Sequence, residues 1–506
     1  MTGALMVCGT CSDAGKSSLV AGLLRALARR GVAAAPFKAQ NMALNSYVTS
    51  SGHEIGRAQG VQAIAAGTEP TVEMNPILLK PTGEQTSQVV VMGRPIGHFT
   101  ASEYHQMKDE LFGVVRQCLA TLRERFDVVV LEGAGSPAEV NLADRDIVNL
   151  RLAETERIPA ILVGDIDRGG VFASLVGTLE LLPPGQRRLV RGFVVNKLRG
   201  DPRLLGNAAA DLEQRTGVPT LGVIPWTPGL ELDAEDSLAI DANRPQTRPA
   251  RGDWLDVCVV RLPRISNFTD LDPLWYEPGV AVRWVVAPSQ LRGADLIVIP
   301  GSKATVHDLA WVRSTGLDRA IGEARDDEGG PMILGICGGY QMLSRTIRDD
   351  VESAIGVVEG LGLLDVEVSF SRDKIVRRRK GTCMGAPVEG YEIHHGIPTR
   401  GAGCHWWVQL SDEHGSELEG AFDLRDARVV GTSLHGLFES DTFRENFLCE
   451  VARRRERDFV PAGLRFAALR ERRLDLLADL VEEHVGVDVL LEIANSSVDD
   501  RTGAAP

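Results

Sequence analysis

Two groups of residues in this chain have types and spacing suited to chemistry. The first is the stretch GTCSDAGKSS at 9–18, set between a short apolar run and a helical pattern. A glycine turn that opens a helix presents successive backbone N–H groups to an anion. Lys16 would place its charge between phosphates and Ser17 would offer a hydroxyl to Mg2+. The usual phosphate loop has four residues between its first glycine and Gly-Lys-Ser/Thr, whereas five separate Gly9 from Gly15. The second is ILGICGGYQ at 333–341, with Cys337 between an apolar run and two glycines. That layout suits a sharp strand-to-helix turn that lifts a nucleophile out of a sheet, with the helix N-terminus favouring the thiolate. His435 in GTSLHGLF lies far downstream but also at the end of an apolar run, as a base should that meets the cysteine only in the fold. Glu439 is the nearby carboxylate for orienting the imidazole. The glycine turn PGSKAT at 300–305 could supply N–H groups to an oxyanion.

Further polar residues punctuate apolar runs in the first half. Glu132 ends DVVVLE and is the candidate carboxylate beside a metal-bound phosphate. Asp165 and Asp167 end another run, and Asn196 and Lys197 a third, resembling base-reading Asn-Lys pairs. The nucleotide-binding candidates are therefore Gly9, Asp13, Gly15, Lys16, Ser17, Ser18, Asn196 and Lys197, with Ser17 and Glu132 as metal ligands. Asp144, Arg145 and Asp146 follow the Glu132 run directly, and Asp146 is a candidate catalytic carboxylate. Each alone is an ordinary loop residue. Gathered at the carboxyl ends of strands in an open α/β sheet, they form a ligand site.

The elements that must position them read as fully apolar runs alternating with helical patterns: 4–8, 127–135, 158–167, 190–197 and 219–226, then 254–262, 294–302, 331–339 and 428–436. Continuous apolar strands separated by helices imply parallel sheets covered on both faces. The fold expected is α/β, two doubly wound, mostly parallel-sheet domains with a helical C-terminal tail. The boundaries expected are an ATP-binding domain at 1–233, a linker at 234–253 where the pattern gives way to acidic and then Pro- and Arg-rich sequence, a second domain at 254–445, and a helical extension at 446–506 with a disordered end. A chain of 506 residues is too long for one core.

A net charge of −14 argues against general nucleic-acid or anionic-membrane binding. No apolar run approaches the length needed to span a bilayer, and the start lacks a leader pattern. Eight scattered cysteines suit reduced thiols and a cytoplasmic location. Cys8-x-x-Cys11 overlaps the glycine loop and has no second pair, so it reads as incidental. The basic run at 371–381 reads as a solvated surface loop, and the sequence leaves the oligomeric state open.

The Cys337 stretch with its downstream histidine resembles class I glutamine amidotransferase domains, and the first half resembles dethiobiotin synthetase-like ATPases, which use the same stretched loop. The fusion is similar to the cobyric acid synthase family. The matching stretches are GTCSDAGKS, PFKAQNMALNS (36–46), EMNPILLKP (73–81), LEGAGSPAEVNLADRDIVN (131–149), DIDRGGVFAS (165–174), NKLRGD (196–201), PGSKAT and GICGGYQML, together covering 1–235 and 254–445. The resemblance implies ATP and Mg2+, glutamine as nitrogen donor, a corrinoid polycarboxylate as substrate, and four amidations through acyl phosphates. One departure stands out. Class I enzymes carry His-x-Glu, but Leu437 lies two residues after His435 and Glu439 four after. The third member is left open, between a displaced Glu439 and a Cys–His dyad. A cobyrinic acid a,c-diamide synthase-like amidoligase, or a regulatory ATPase with a degenerate amidotransferase module, remain alternatives.

Overall fold

The computed structural model describes residues 3–83, 85–141, 143–228, 230 and 253–497. The chain divides into two compact units. Met1–Ala43, His53–Ala234 and Arg470–Pro506 form the first, and Leu44–Gly52 with Glu235–Leu469 form the second. The expected linker, apart from Asp253, and the end of the chain from 498 lie outside the described residues.

The first unit is built on six parallel strands: β1 (Gly3–Gly9), β2 (Ala34–Phe37), β3 (Val128–Glu132), β4 (Ala160–Asp165), β5 (Val190–Leu198) and β6 (Thr220–Pro225). Their spatial order is β6-β5-β4-β1-β3-β2. Every residue of β1, β3 and β4 is buried, which is why these runs are continuously apolar rather than alternating. Helix α1 (Lys16–Arg29) leaves β1 through the glycine loop and buries Val20, Leu23, Leu24 and Leu27. The order places β1 between β3 and β4, so the loop after β1 is flanked by the ends that carry Glu132 and Asp165.

Two features of this unit depart from the sequence reading. A four-stranded sheet of Gln40–Met42, Ile77–Pro81, Thr86–Val91 and Arg94–Thr100, mostly antiparallel, stands beside the main one. The tail is also not a separate extension. From Arg470 it belongs to the first unit, where Leu474, Leu477, Ala478, Val481 and Leu490 share a core with Leu5, Val7, Val20 and Leu24. Glycines permit the close approach: a Cβ on Gly22 would stand 2.6 Å from Leu477 O, and one on Gly222 1.9 Å from His484 O. Arg25 and Arg29 pair with Glu471, Asp475 and Asp479 along the same contact. Such part-exposed pairs add little each, so the apolar interlock carries the docking.

The second unit has a seven-stranded sheet. Five strands are parallel, in the order Val280–Val285, Leu255–Val260, Leu296–Ile299, Met332–Ile336 and Val429–Thr432, and two short antiparallel strands complete it. A second sheet is built on the long strand Val366–Cys383, paired antiparallel with Ala386–Arg400. This overturns the surface-loop reading of 371–381. Arg379 is wholly buried against Glu392, Asp412 and Glu417, while Lys380 faces outward to Glu389. Alternate charges of the run face opposite sides of a strand, and the buried ones are neutralised by carboxylates.

Together these features make an α/β protein with mostly parallel main sheets in two units and a helical C-terminal region. Among the described residues no helix is long and apolar enough to cross a membrane.

Candidate active sites

In the first unit the glycine loop turns into α1 at Gly15, which has φ +96°. No side chain fits there, since a Cβ would stand 2.0 Å from Asn196 Nδ2. Asn196 Nδ2 donates to Ala14 O at 2.9 Å, so this residue holds the loop from the end of β5. Lys197 Nζ bonds Asp13 O and donates to Asp165 Oδ2 at 2.9 Å, and Arg168 reaches the Asp13 carboxylate at 3.2 Å. Asp13, Asp165, Asn196 and Lys197 thus brace the loop in this structure. Asp167 pairs outward with Arg199.

Lys16 is buried, and its Nζ donates to Cys11 O at 3.0 Å and Gly135 O at 3.1 Å. A Cβ on Gly9 would stand 2.9 Å from that Nζ. Burial pulls the Lys16 pKa down, while Glu132 works to restore it. Ser17 Oγ donates to Glu132 Oε1 at 2.8 Å, bringing together the two expected metal ligands. Ser18 follows on the first turn of α1. Glu132 also accepts from Lys38 Nζ at 2.9 Å and Gln62 Nε2 at 2.6 Å. Burial opposes the Glu132 charge, but Lys38 and the Gln62 and Ser17 hydrogen bonds outweigh it and hold the carboxyl below its ordinary value. Sequence reasoning assigned Lys38 and Gln62 no role. The only signal was a lysine one residue beyond β2, the strand beside β3. Asp146 accepts from the backbone N–H groups of Val148 and Asn149 at 2.9 and 3.0 Å. Asn149 in turn clasps Ala134 through both its N–H and its C=O. Asp146 therefore shapes the loop after β3. The Cys8 thiol is pushed up to about 12, by burial first and by Asp146 second, and all eight cysteines are free.

In the second unit Cys337 stands at the end of the strand Met332–Ile336 with φ 49° and ψ −105°, opening the short helix Gly338–Leu343. Positive φ on a residue with a Cβ marks a strained turn held by its surroundings. The glycines explain how it fits. A Cβ on Gly339 would stand 1.8 Å from Ile299 O, one on Gly338 2.7 Å from Ser302 N, and one on Gly335 2.7 Å from Tyr340 N. The turn 300–305 is thus packed against the nucleophile. Its Lys303 and Ala304 N–H groups are already bonded to Arg264 O and Ser302 Oγ, however, so these two do not supply the oxyanion donors expected of the turn.

His435 is wholly buried, and Tyr391 stacks on its ring at 5.3 Å. Its Nδ1 faces Asp270 Oδ2 at 2.7 Å, and Asp270 Oδ1 accepts from Gly436 N at 2.8 Å. The carboxylate on the imidazole is therefore Asp270, in the turn Phe268–Leu271, rather than Glu439. Burial disfavours charge on His435, but Asp270 and Cys337 outweigh it and push its pKa up to about 10. Burial likewise raises the Cys337 thiol, and the neighbouring His435 more than reverses this. Both directions favour moving the proton from the Cys337 sulfur to His435. His394 lies in the same field; burial opposes its charge, but Glu392 and Cys337 raise its pKa. No sequence signal picked out Asp270, Tyr391 or His394. The HH pair at 394–395 was the one available hint.

Family models match both halves of the chain: the CobQ/CobB/MinD/ParA nucleotide binding domain over residues 5–239 and the CobB/CobQ-like glutamine amidotransferase domain over 256–443. The cobyric acid synthase of Rhodococcus jostii (strain RHA1) is 52% identical over 496 residues, covering 97% of this chain and 95% of that protein. The cobyric acid synthase of Saccharopolyspora erythraea is 53% identical over 493 residues, covering 96% and 93%. This chain belongs to the cobyric acid synthase family. A cobyric acid synthase is a glutamine-hydrolysing amidoligase, and both halves of that description have a counterpart here. The nucleotide-binding match contains the loop at 9–17, and the amidotransferase match contains Cys337, His435 and Asp270.

Proposed function

We propose that Cys337 is the glutaminase nucleophile, His435 its base and Asp270 the group that orients His435. The observation that carries this reading is the 2.7 Å contact between Asp270 and His435 beside a strained, thiolate-favouring Cys337. The Cys337 sulfur adds to the side-chain carbonyl carbon of glutamine. The imidazolium gives its Nε2 proton to the departing amine, so the C–N bond breaks and NH3 leaves. A glutamyl thioester remains. His435 then takes a proton from water, the hydroxide adds to the thioester, and glutamate leaves as the thiolate is restored.

The first unit spends ATP to activate a carboxylate. A substrate carboxylate oxygen attacks the γ-phosphorus, ADP leaves, and NH3 displaces phosphate from the acyl carbon, giving the amide. Free ammonia is mostly protonated and non-nucleophilic at neutral pH, hence local production from glutamine. Gly9, Asp13, Gly15, Lys16, Ser17 and Ser18 form the phosphate cradle, with Lys16 neutralising the transferring group. Ser17 Oγ and the Glu132 carboxylate, 2.8 Å apart, fit a hard cation and would hold Mg2+, which supplies charge neutralisation on the phosphates. Asn196 and Lys197 border the base side of the cradle. Asp146, expected as a catalytic carboxylate, is a positioning residue that holds the loop after β3 through Val148 N and Asn149 N. The substrate is adenosylcobyrinic acid a,c-diamide, amidated at its b, d, e and g side chains. The eight free thiols support a cytoplasmic setting. Mass analysis of the product tests the reading: each amidation replaces O by NH and lowers the mass by about one unit. Four losses are expected from the a,c-diamide; no loss from it, with two from the unamidated cobyrinic acid, would indicate an a,c-diamide synthase.

A further inference from the structure

Residues Leu44–Gly52 belong to the second unit, although the chain on both sides of them belongs to the first. Within the second unit this segment meets the elements that surround His435. Asn45 Oδ1 accepts from Phe268 N at 3.1 Å, and Ser46 N donates to Asn267 Oδ1 at 2.9 Å. Val48 shares an apolar cluster with Tyr391 and Ile393, and Arg378 bonds both Val48 O at 2.8 Å and the Tyr47 hydroxyl at 2.6 Å.

Asn267 is the informative residue. It holds a left-handed conformation, φ 50° and ψ 37°, three residues before Asp270. Its side chain spans from Ser46 N to His435 Nε2, which lies 3.3 Å from Asn267 Nδ2. The amide orientation follows from the chemistry. Ser46 N–H is a donor only, so it must face the amide oxygen, and the NH2 must face the ring. An N–H donor aimed at Nε2 needs the Nε2 lone pair. Asp270 on Nδ1 favours the charged ring, whereas Asn267 on Nε2 favours the neutral one. Nε2 is also the nitrogen that must carry the proton of Cys337.

We propose that Asn267, aimed by residues 45–46, is a brake on the glutaminase: its N–H donor competes for the lone pair of the nitrogen that must take the thiol proton, and so opposes the charging of His435 that Asp270 and Cys337 favour. A shift of segment 44–52 that withdraws the Ser46 donor frees the amide to turn away and releases the base. Asn267 is thus a positioning residue for the reaction proposed above, and the inference rests on that reading. The charged and titratable groups around the ring are Asp270 on Nδ1, Cys337, which interacts with the imidazole, the Tyr391 phenol stacked on its face, and His394 with Glu392 near the thiol.

The test is the pH profile of Cys337 alkylation by iodoacetamide, with glutamine hydrolysis measured alongside in the full-length protein. Asn267→Gly removes the amide and keeps the left-handed backbone accessible. Its alkylation midpoint is expected to fall by about one pH unit, the tenfold change that follows loss of one hydrogen bond to the neutral ring, and basal glutamine hydrolysis at neutral pH should rise. Asn45→Ala touches neither Cys337 nor His435 and should shift the midpoint in the same direction by less. An unchanged profile in Asn267→Gly overturns the brake. A shift in Asn267→Gly with none in Asn45→Ala overturns the role of the segment. Absence of glutamine hydrolysis in the unmodified protein would instead overturn the glutaminase reading.

Discussion

Asp270 and His435 lie 165 residues apart in sequence, yet Oδ2 of one is 2.7 Å from Nδ1 of the other. The same carboxylate anchors Gly436 N through its second oxygen, so it fixes both the ring and the backbone that carries it. Asp270→Asn can retain part of this geometry but loses the charge that stabilises imidazolium. Glutamine hydrolysis is expected to fall by at least about a hundredfold in kcat, the loss smaller than in a serine triad because a thiol ionises more readily. Glu439→Gln should stay within a few-fold. Ammonium-dependent amidation, unchanged in both, controls for folding. A large loss in Glu439→Gln with a small one in Asp270→Asn would reverse the assignment.

Nitrogen supply and nitrogen use should separate in Cys337→Ala. Without the thiol no thioester forms, so glutamine-dependent amidation is abolished. The synthetase site needs only NH3, whatever its source. Activity should therefore return with high external ammonium at raised pH, where more of it is unprotonated. Loss of both activities with the fold intact, judged by the unfolding transition, would overturn the two-site assignment.

The parallel sheets were legible because buried parallel strands must be apolar throughout, and runs such as ALMVC and DVVVLE have no other comfortable place. Cys337 was legible because its glycines are demanded locally: Gly339 cannot carry a Cβ with Ile299 O at 1.8 Å. The orienting carboxylate was not legible. Asp270 reaches His435 through tertiary folding, while the family pattern pointed to a residue close in sequence. The basic run at 371–381 misled for a similar reason. Its neutralising partners, Glu392, Asp412 and Glu417, lie on neighbouring strands and leave no local mark. The tail read as an extension because an amphipathic helix does not state which core it covers.

Acid stability offers a test of the buried charges near the nucleophile. Burial alone would raise the Glu392 pKa, but His394 and Arg377 reverse this and hold it down at about 2, against an ordinary 4.5. A depressed folded-state pKa gives stability that is present above 4.5 and lost as pH falls towards 2. Glu419 behaves oppositely. Burial, then Glu392, push it up to about 7, so its contribution is full below 4.5 and lost as pH rises through 7. Below 4.5 the Glu419 contribution is constant and the Glu392 one is not. Melting temperature measured from pH 5 to 2.5 should fall more steeply in the unmodified protein than in Glu392→Gln. Parallel slopes would mean that the Glu392 charge is not what His394 and Arg377 stabilise.

The last prediction separates the two lysines of the nucleotide site. Lys16 bonds loop carbonyls, and its proposed role is on phosphate. Lys38 bonds Glu132, which also receives Ser17 and Gln62. Lys16→Ala should therefore eliminate ATP-dependent amide formation at every Mg2+ concentration while glutamine hydrolysis at Cys337 survives. Lys38→Met acts through the carboxylate. It leaves a buried anion without its cation, a defect that costs about 3–5 kcal/mol when nothing else compensates. Glu132 then takes up a proton at higher pH, and a protonated carboxyl is a poor ligand for a hard cation. Ammonium-dependent synthesis in Lys38→Met should need more Mg2+ for half-maximal rate, and the requirement should ease as pH rises and Glu132 ionises again. The measurement is a Mg2+ titration of that reaction at two pH values, with the KM for glutamine as a control on the other site. A loss of rate that neither Mg2+ nor pH relieves would place Lys38 on the substrate or the phosphates and remove it from the support of Glu132.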